Sequence, residues 1–116
     1  MRKAQVSLCL LLMVAQLRAA TAPAPGIEIS KTDRAFLDVQ TQKLAAAMAE
    51  VKRPANRQFL PDVRIFYNAV RYALDHNMFY RRGDVATAKE LLIRGFKRAG
   101  QLKAGQHPWT SATGLV

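Results

Sequence analysis

Three stretches of the chain repeat apolar residues at helical spacing. The most regular runs from about Val85 to Lys103. There Val85, Ala88, Leu92, Gly95, Ala99 and Leu102 recur at intervals of 3, 4, 3, 4 and 3, and Leu91 and Phe96 widen the face. Asp84 stands where an N-cap is expected, and Gly105 and Pro108 mark the exit. Gly95 costs roughly 1 kcal/mol against alanine inside a helix, so its presence predicts a close approach by another helix. Glu90 and Arg94 form a favourable i,i+4 pair. A second stretch, from about Pro61 to His76, opens with Pro61 at the first helical position and Asp62 beside it. It carries Val63, Phe66, Tyr67, Val70 and Leu74 as a stripe with Ala73 alongside, and Asn77 is the expected terminator. A third, from about Asp33 to Val51, has Thr32 as candidate N-cap and places Leu37, Leu44, Met48 and Val51 on one face. Ala45, Ala46, Ala47 and Ala49 add helix propensity there, and Pro54 stops it after Lys52 and Arg53. Alanine-rich faces bury little area, so this helix is expected to pack loosely or against something outside the chain.

The pattern therefore predicts an all-α fold. Its parts are a first helical region over 32–53, a loop over 54–60, and an antiparallel helical hairpin over 61–105 joined by about eight residues. Pro23, Pro25 and Gly26 resist helix, so 20–31 reads as a flexible extended tether. The hairpin resembles one tetratricopeptide-like unit in shape only. There is no second copy, and solenoids of that kind need about three.

Residues 1–19 read as a secretory signal peptide. Arg2 and Lys3 form a positive start, Val6 to Ala15 an apolar core, and Ala19, Ala20 and Ala22 offer small residues for cleavage, favoured after Ala19. The apolar run is short of the ~20 residues of a transmembrane helix, so no stable anchor is expected. The expected location is periplasmic or extracellular. At the other end, 106–116 reads as a linker or an opening strand. It closes on the apolar Leu115 and Val116 without a polar tail, which raises the expectation of a further domain.

Cleavage after Ala19 would remove Cys9, the one cysteine, and with it any disulfide. The remaining 97 residues suffice for one small domain with a marginal core. The whole chain carries +10. Without Arg2, Lys3 and Arg18 it holds 15 basic and 8 acidic residues, or +7. The charge is uneven: residues 20–51 have three basic and four acidic residues, whereas 52–105 have twelve basic and four acidic. A patch of that sign attracts an acidic protein surface, anionic lipid or nucleic acid, the last being least favoured for an exported protein.

No catalytic set is legible. Ser7, Ser30 and Ser111 lie outside any G-x-S-x-G elbow, and the glycines form no phosphate-binding loop. His76 and His107 are 31 residues apart with no carboxylate at ligand spacing, so neither a metal site nor a cofactor is expected. Asp75 and His76 are neighbours on a helix and point apart, which makes them a frayed helix end before an acid–imidazole pair. The Arg/Lys clusters, including Arg94, Lys97, Arg98 and Lys103, read first as solvated helix faces. Phe66, Tyr67, Tyr72, Phe79, Tyr80 and Phe96 lie among arginines and could form a stacking surface. The favoured reading places Phe66, Tyr67 and Phe96 in the hairpin core, with Phe79 and Tyr80 closing its tip. Trp109 has no helical partner in register and is expected to plug against a following domain.

One resemblance adds to this reading. Leu60-Pro61-Asp62-Val63 through Phe79-Tyr80, Leu91-Leu92, Ala99 to Gly105, Pro108-Trp109-Thr110 and Thr113-Gly114-Leu115-Val116 resemble a recurring N-terminal region. That region precedes the catalytic domain of secreted α/β-hydrolases of the prolyl-oligopeptidase or dienelactone-hydrolase type. The resemblance covers about residues 54–116 and includes no catalytic motif. It implies a non-catalytic leader whose partner is an α/β-hydrolase domain absent from this chain. Phe66, Tyr67, Phe79, Tyr80 and Trp109 are the candidate docking residues. The alternative is a free-standing exported basic adaptor for an acidic protein or membrane surface.

Overall fold

The computed structural model describes residues 24–111, so the expected signal peptide and residues 112–116 lie outside the described residues. The fold is all-helical. Its elements are α1 (Lys31–Ala49), α2 (Pro54–Arg57), α3 (Pro61–Asp75), α4 (Asp84–Lys103) and a short 3-10 helix at Pro108–Ser111.

α1, α3 and α4 form an up-down-up bundle. α1 and α4 run parallel: Asp33 meets Lys89 at one end, 3.6 Å, and Glu50 meets Lys103 at the other, 2.8 Å. α3 runs against both. Arg34 Nη1 donates to the Leu74 carbonyl, 3.0 Å, Arg71 Nη1 to Asp38, 2.8 Å, and Arg98 Nη1 to the Asp62 carbonyl, 3.1 Å. Each helix turns one stripe inward: Leu37, Thr41, Leu44 and Met48 from α1, Val63, Phe66, Val70 and Leu74 from α3, and Ala88, Leu92, Gly95, Ala99 and Leu102 from α4. The hairpin of α3 and α4 stands as its periodicity predicts. The expectation of a loosely packed first helix is corrected, because Leu37 and Leu44 are both 0 % exposed and α1 closes the core. Thr41 sits in that stripe as a polar residue, and its hydroxyl donates to the Leu37 carbonyl, 2.6 Å, so it brings no unpaired group into the core.

Gly95 is the point of closest approach. A Cβ there would lie 2.7 Å from Leu44 Cδ2 and 3.2 Å from Phe66 Cβ, so an added methyl would require the Leu44 side chain to shift.

The helix ends refine the sequence boundaries. Ser30, not Thr32, caps α1, its Oγ accepting from the Asp33 amide at 3.0 Å. The expected loop over 54–60 contains α2, because Pro54 both ends the preceding run and supplies a favourable first helical residue. α3 and α4 close with the same device. Asn77 (φ 50°) and Gly105 (φ 79°) are left-handed, and the next amides, of Met78 and Gln106, reach back to the Ala73 and Gln101 carbonyls at 2.9 and 2.7 Å.

The tether expected over 20–31 has no regular structure over 24–30, Lys31 already belonging to α1, and it is held. The Gly26 amide donates to the Asn77 carbonyl, 3.0 Å, and Ile27 N–H to Phe79 O, 2.6 Å. Asn77 Nδ2 returns a bond to the Gly26 carbonyl, 3.2 Å. A Cβ on Gly26 would collide with the Asn77 and Phe79 carbonyls, so only glycine lets the strap lie this close. Of the linker or opening strand expected over 106–116, the described part is not a strand: Pro108–Ser111 is a helical turn.

Candidate basic cleft on the fourth helix

The five candidate docking residues do not form one surface. Phe79 is 1 % exposed and Phe66 8 %, so both belong to the core, and Tyr67 packs half-buried against it. Phe79 has no face left for a partner, and Phe66, also buried, is reached only where it lines a cleft beside α4. Tyr80 is 48 % exposed and sits at the hairpin tip, its backbone amide donating to Asp84 and its hydroxyl to the Ala24 carbonyl, 3.4 Å. Trp109 is half-buried against its own bundle, where plugging into another domain is the sequence expectation.

The route of Trp109 follows from the Gly105 turn. The reversal carries the chain from the end of α4 back across the start of α3. His107 stacks on Phe59 with ring centroids 4.3 Å apart. Trp109 Nε1 then donates to Asp62 Oδ2, 2.9 Å, in the first turn of α3. Arg98 lies over both neighbouring rings, its guanidinium carbon 4.9 Å from the Phe66 centroid and 5.1 Å from that of Trp109.

Together these residues wall a cleft of about 310 Å³, lined by Arg94, Lys97, Arg98 and Gln101 of α4 with Phe66 and Trp109. Spacings of three and four put the four α4 residues on one face. Arg94 is paired with Glu90, 2.9 Å. Lys97 has no ion-pair partner among the described residues. The sequence reads these cations first as solvated helix faces and, within the basic stretch 52–105, as a patch for an anionic partner. Their spacing was readable, but their union with Trp109 depends on the left-handed turn at Gly105.

Elsewhere some charges are paired, while Lys43, Lys52, Arg53, Arg64, Arg81 and Arg82, like Lys97, have no ion-pair partner among the described residues. Arg71 bridges Asp38 and Asp75, which holds its guanidinium above the ordinary arginine value, chiefly through the Asp38 bond. Asp84 accepts from the Tyr80 and Arg81 amides, 2.8 and 3.0 Å, and these bonds hold its carboxyl below the ordinary range. The Lys103 ammonium does the same for Glu50. Asp75 and His76 form no acid–imidazole pair: Asp75 turns to Arg71, while His76 stacks on Tyr72 with centroids 6.1 Å apart. Among the described residues no group of three or more His, Cys, Asp or Glu side chains is placed to hold a metal, and no helix is long and apolar enough to cross a membrane.

The chain matches no protein-family model, no curated protein and no solved structure.

Proposed function

We propose that this chain is a non-catalytic helical docking module of an exported α/β-hydrolase, held against the catalytic domain through its basic α4 face. One observation carries this reading. The inward stripes are buried inside the bundle, with Ile65 and Ile93 left exposed outside them, whereas Arg94, Lys97 and Arg98 surround a cleft. A surface of that kind favours electrostatic docking on an acidic partner over burial of an apolar seam. The resemblance of residues 54–116 to hydrolase leader regions supports the identity of the partner, and the pattern of residues 1–19 supports export. The same basic balance supports a second reading, a free-standing exported adaptor for another acidic protein.

The test is to read the coding DNA flanking the gene for an α/β-hydrolase frame and to co-express its product with this chain. Co-elution in size exclusion, with esterase or peptidase activity residing in the hydrolase alone, is the expected result. Separate elution of the two proteins, or a flanking region without such a frame, overturns the hydrolase reading in favour of the adaptor.

A further inference from the structure

We infer that the cleft between α4 and Trp109 is a carboxylate-binding site that receives an acidic side chain of the docking partner. The site is preorganised for such a group. Arg98 is fixed by its bond to the Asp62 carbonyl and by the Phe66 and Trp109 rings, so little side-chain freedom remains to be lost on binding. A guanidinium carries five N–H donors, and one is engaged by that carbonyl. Lys97 adds an ammonium with no carboxylate partner among the described residues, and Gln101 adds an amide at the rim. Of the carboxylates beside the cleft, Asp62 is occupied by the Trp109 indole N–H and Glu90 by Arg94. A cleft of about 310 Å³ is at the small end of ligand sites and fits one or two side chains.

This inference rests on the docking reading and has a built-in reporter, because Trp109 is the chain's one tryptophan and lines the cleft. The probe is a synthetic tetraglutamate peptide titrated against the full chain at low salt, followed by Trp109 emission. Expected is a saturable change that weakens about tenfold in Lys97→Glu, weakens with added salt, and persists in Lys43→Glu, an exposed lysine on α1. Circular dichroism checks that both variants retain the helical fold. Inorganic phosphate and vesicles of anionic lipid serve as competing anions. No saturable change, an equal response in Lys97→Glu, or tighter binding of phosphate or vesicles than of the peptide would each overturn the assignment. The two proposals fail separately: a hydrolase that co-elutes with wild type but not with Lys97→Glu, while tetraglutamate gives no saturable change, removes the carboxylate site and leaves the docking reading standing.

Discussion

Two single positions determine how closely the bundle closes. At Gly95 local and tertiary preferences oppose each other. Alanine gains about 1 kcal/mol of helix propensity, but overpacking a tight core costs about 1–3 kcal/mol. Leu44 and Phe66 are both buried and confine the added methyl group. Gly95→Ala is therefore expected to lower the urea midpoint, and a raised midpoint would show that α1 and α4 are farther apart than described. Asn77 has the opposite character, a non-glycine residue at φ 50° whose side chain accepts from Arg34 Nη2, 3.3 Å, and donates to the Gly26 carbonyl. Asn77→Ala retains the left-handed strain and loses both bonds, with an expected loss of about 1–2 kcal/mol. Asn77→Gly relieves the strain and should lose less, and the order of the two denaturation midpoints checks this. Gly95 was legible as a point of close approach because a glycine in a regular apolar repeat has few other reasons to be there. Thr41 was not legible: a polar residue breaks the stripe on paper, and only its back-bond to Leu37 makes it a core residue.

At the scale of elements, the inward stripes of α3 and α4 were readable because the 3.6-residue period, not the neighbouring structure, sets which positions share a face. The ends were less so. Ser30 and Thr32 are both good caps, and the choice between them depends on where the strap through Gly26 and Ile27 fixes the chain. α2 and the 3-10 turn at Pro108–Ser111 are four residues each, too short to show a period. The α3–α4 connection depends on Asp84, whose carboxylate collects the Tyr80 and Arg81 amides. Its acidity is raised by those bonds, so the charged form is favoured in the folded chain. The resulting stability is present above the ordinary carboxylate pKa of about 4 and is lost as pH falls through the lower folded value. Denaturation midpoints should therefore fall less between neutral pH and below about pH 4 in Asp84→Asn than in the parent chain. An identical pH dependence would mean that the bonds to Asp84 are not formed in solution.

For the whole molecule, the inward stripes are apolar and most charges lie outside, beside the exposed Ile65 and Ile93. α4 buries one face against α1 and α3 and presents Arg94, Lys97 and Arg98 on another. That division was half readable, since the excess of cations over 52–105 was plain in the sequence while the cleft was not. The cleft requires the chain to reverse at Gly105 and seat Trp109 on Asp62, a contact 47 residues apart in sequence. The proposed module thus docks by charge on a surface whose shape its own core maintains. The most direct test compares size exclusion of the co-expressed flanking hydrolase with wild type, Lys97→Glu and Lys43→Glu. The account expects co-elution with wild type and Lys43→Glu, and loss of the complex, by about tenfold in affinity, with a folded Lys97→Glu. A complex equally stable with all three, or absent with all three, would contradict it.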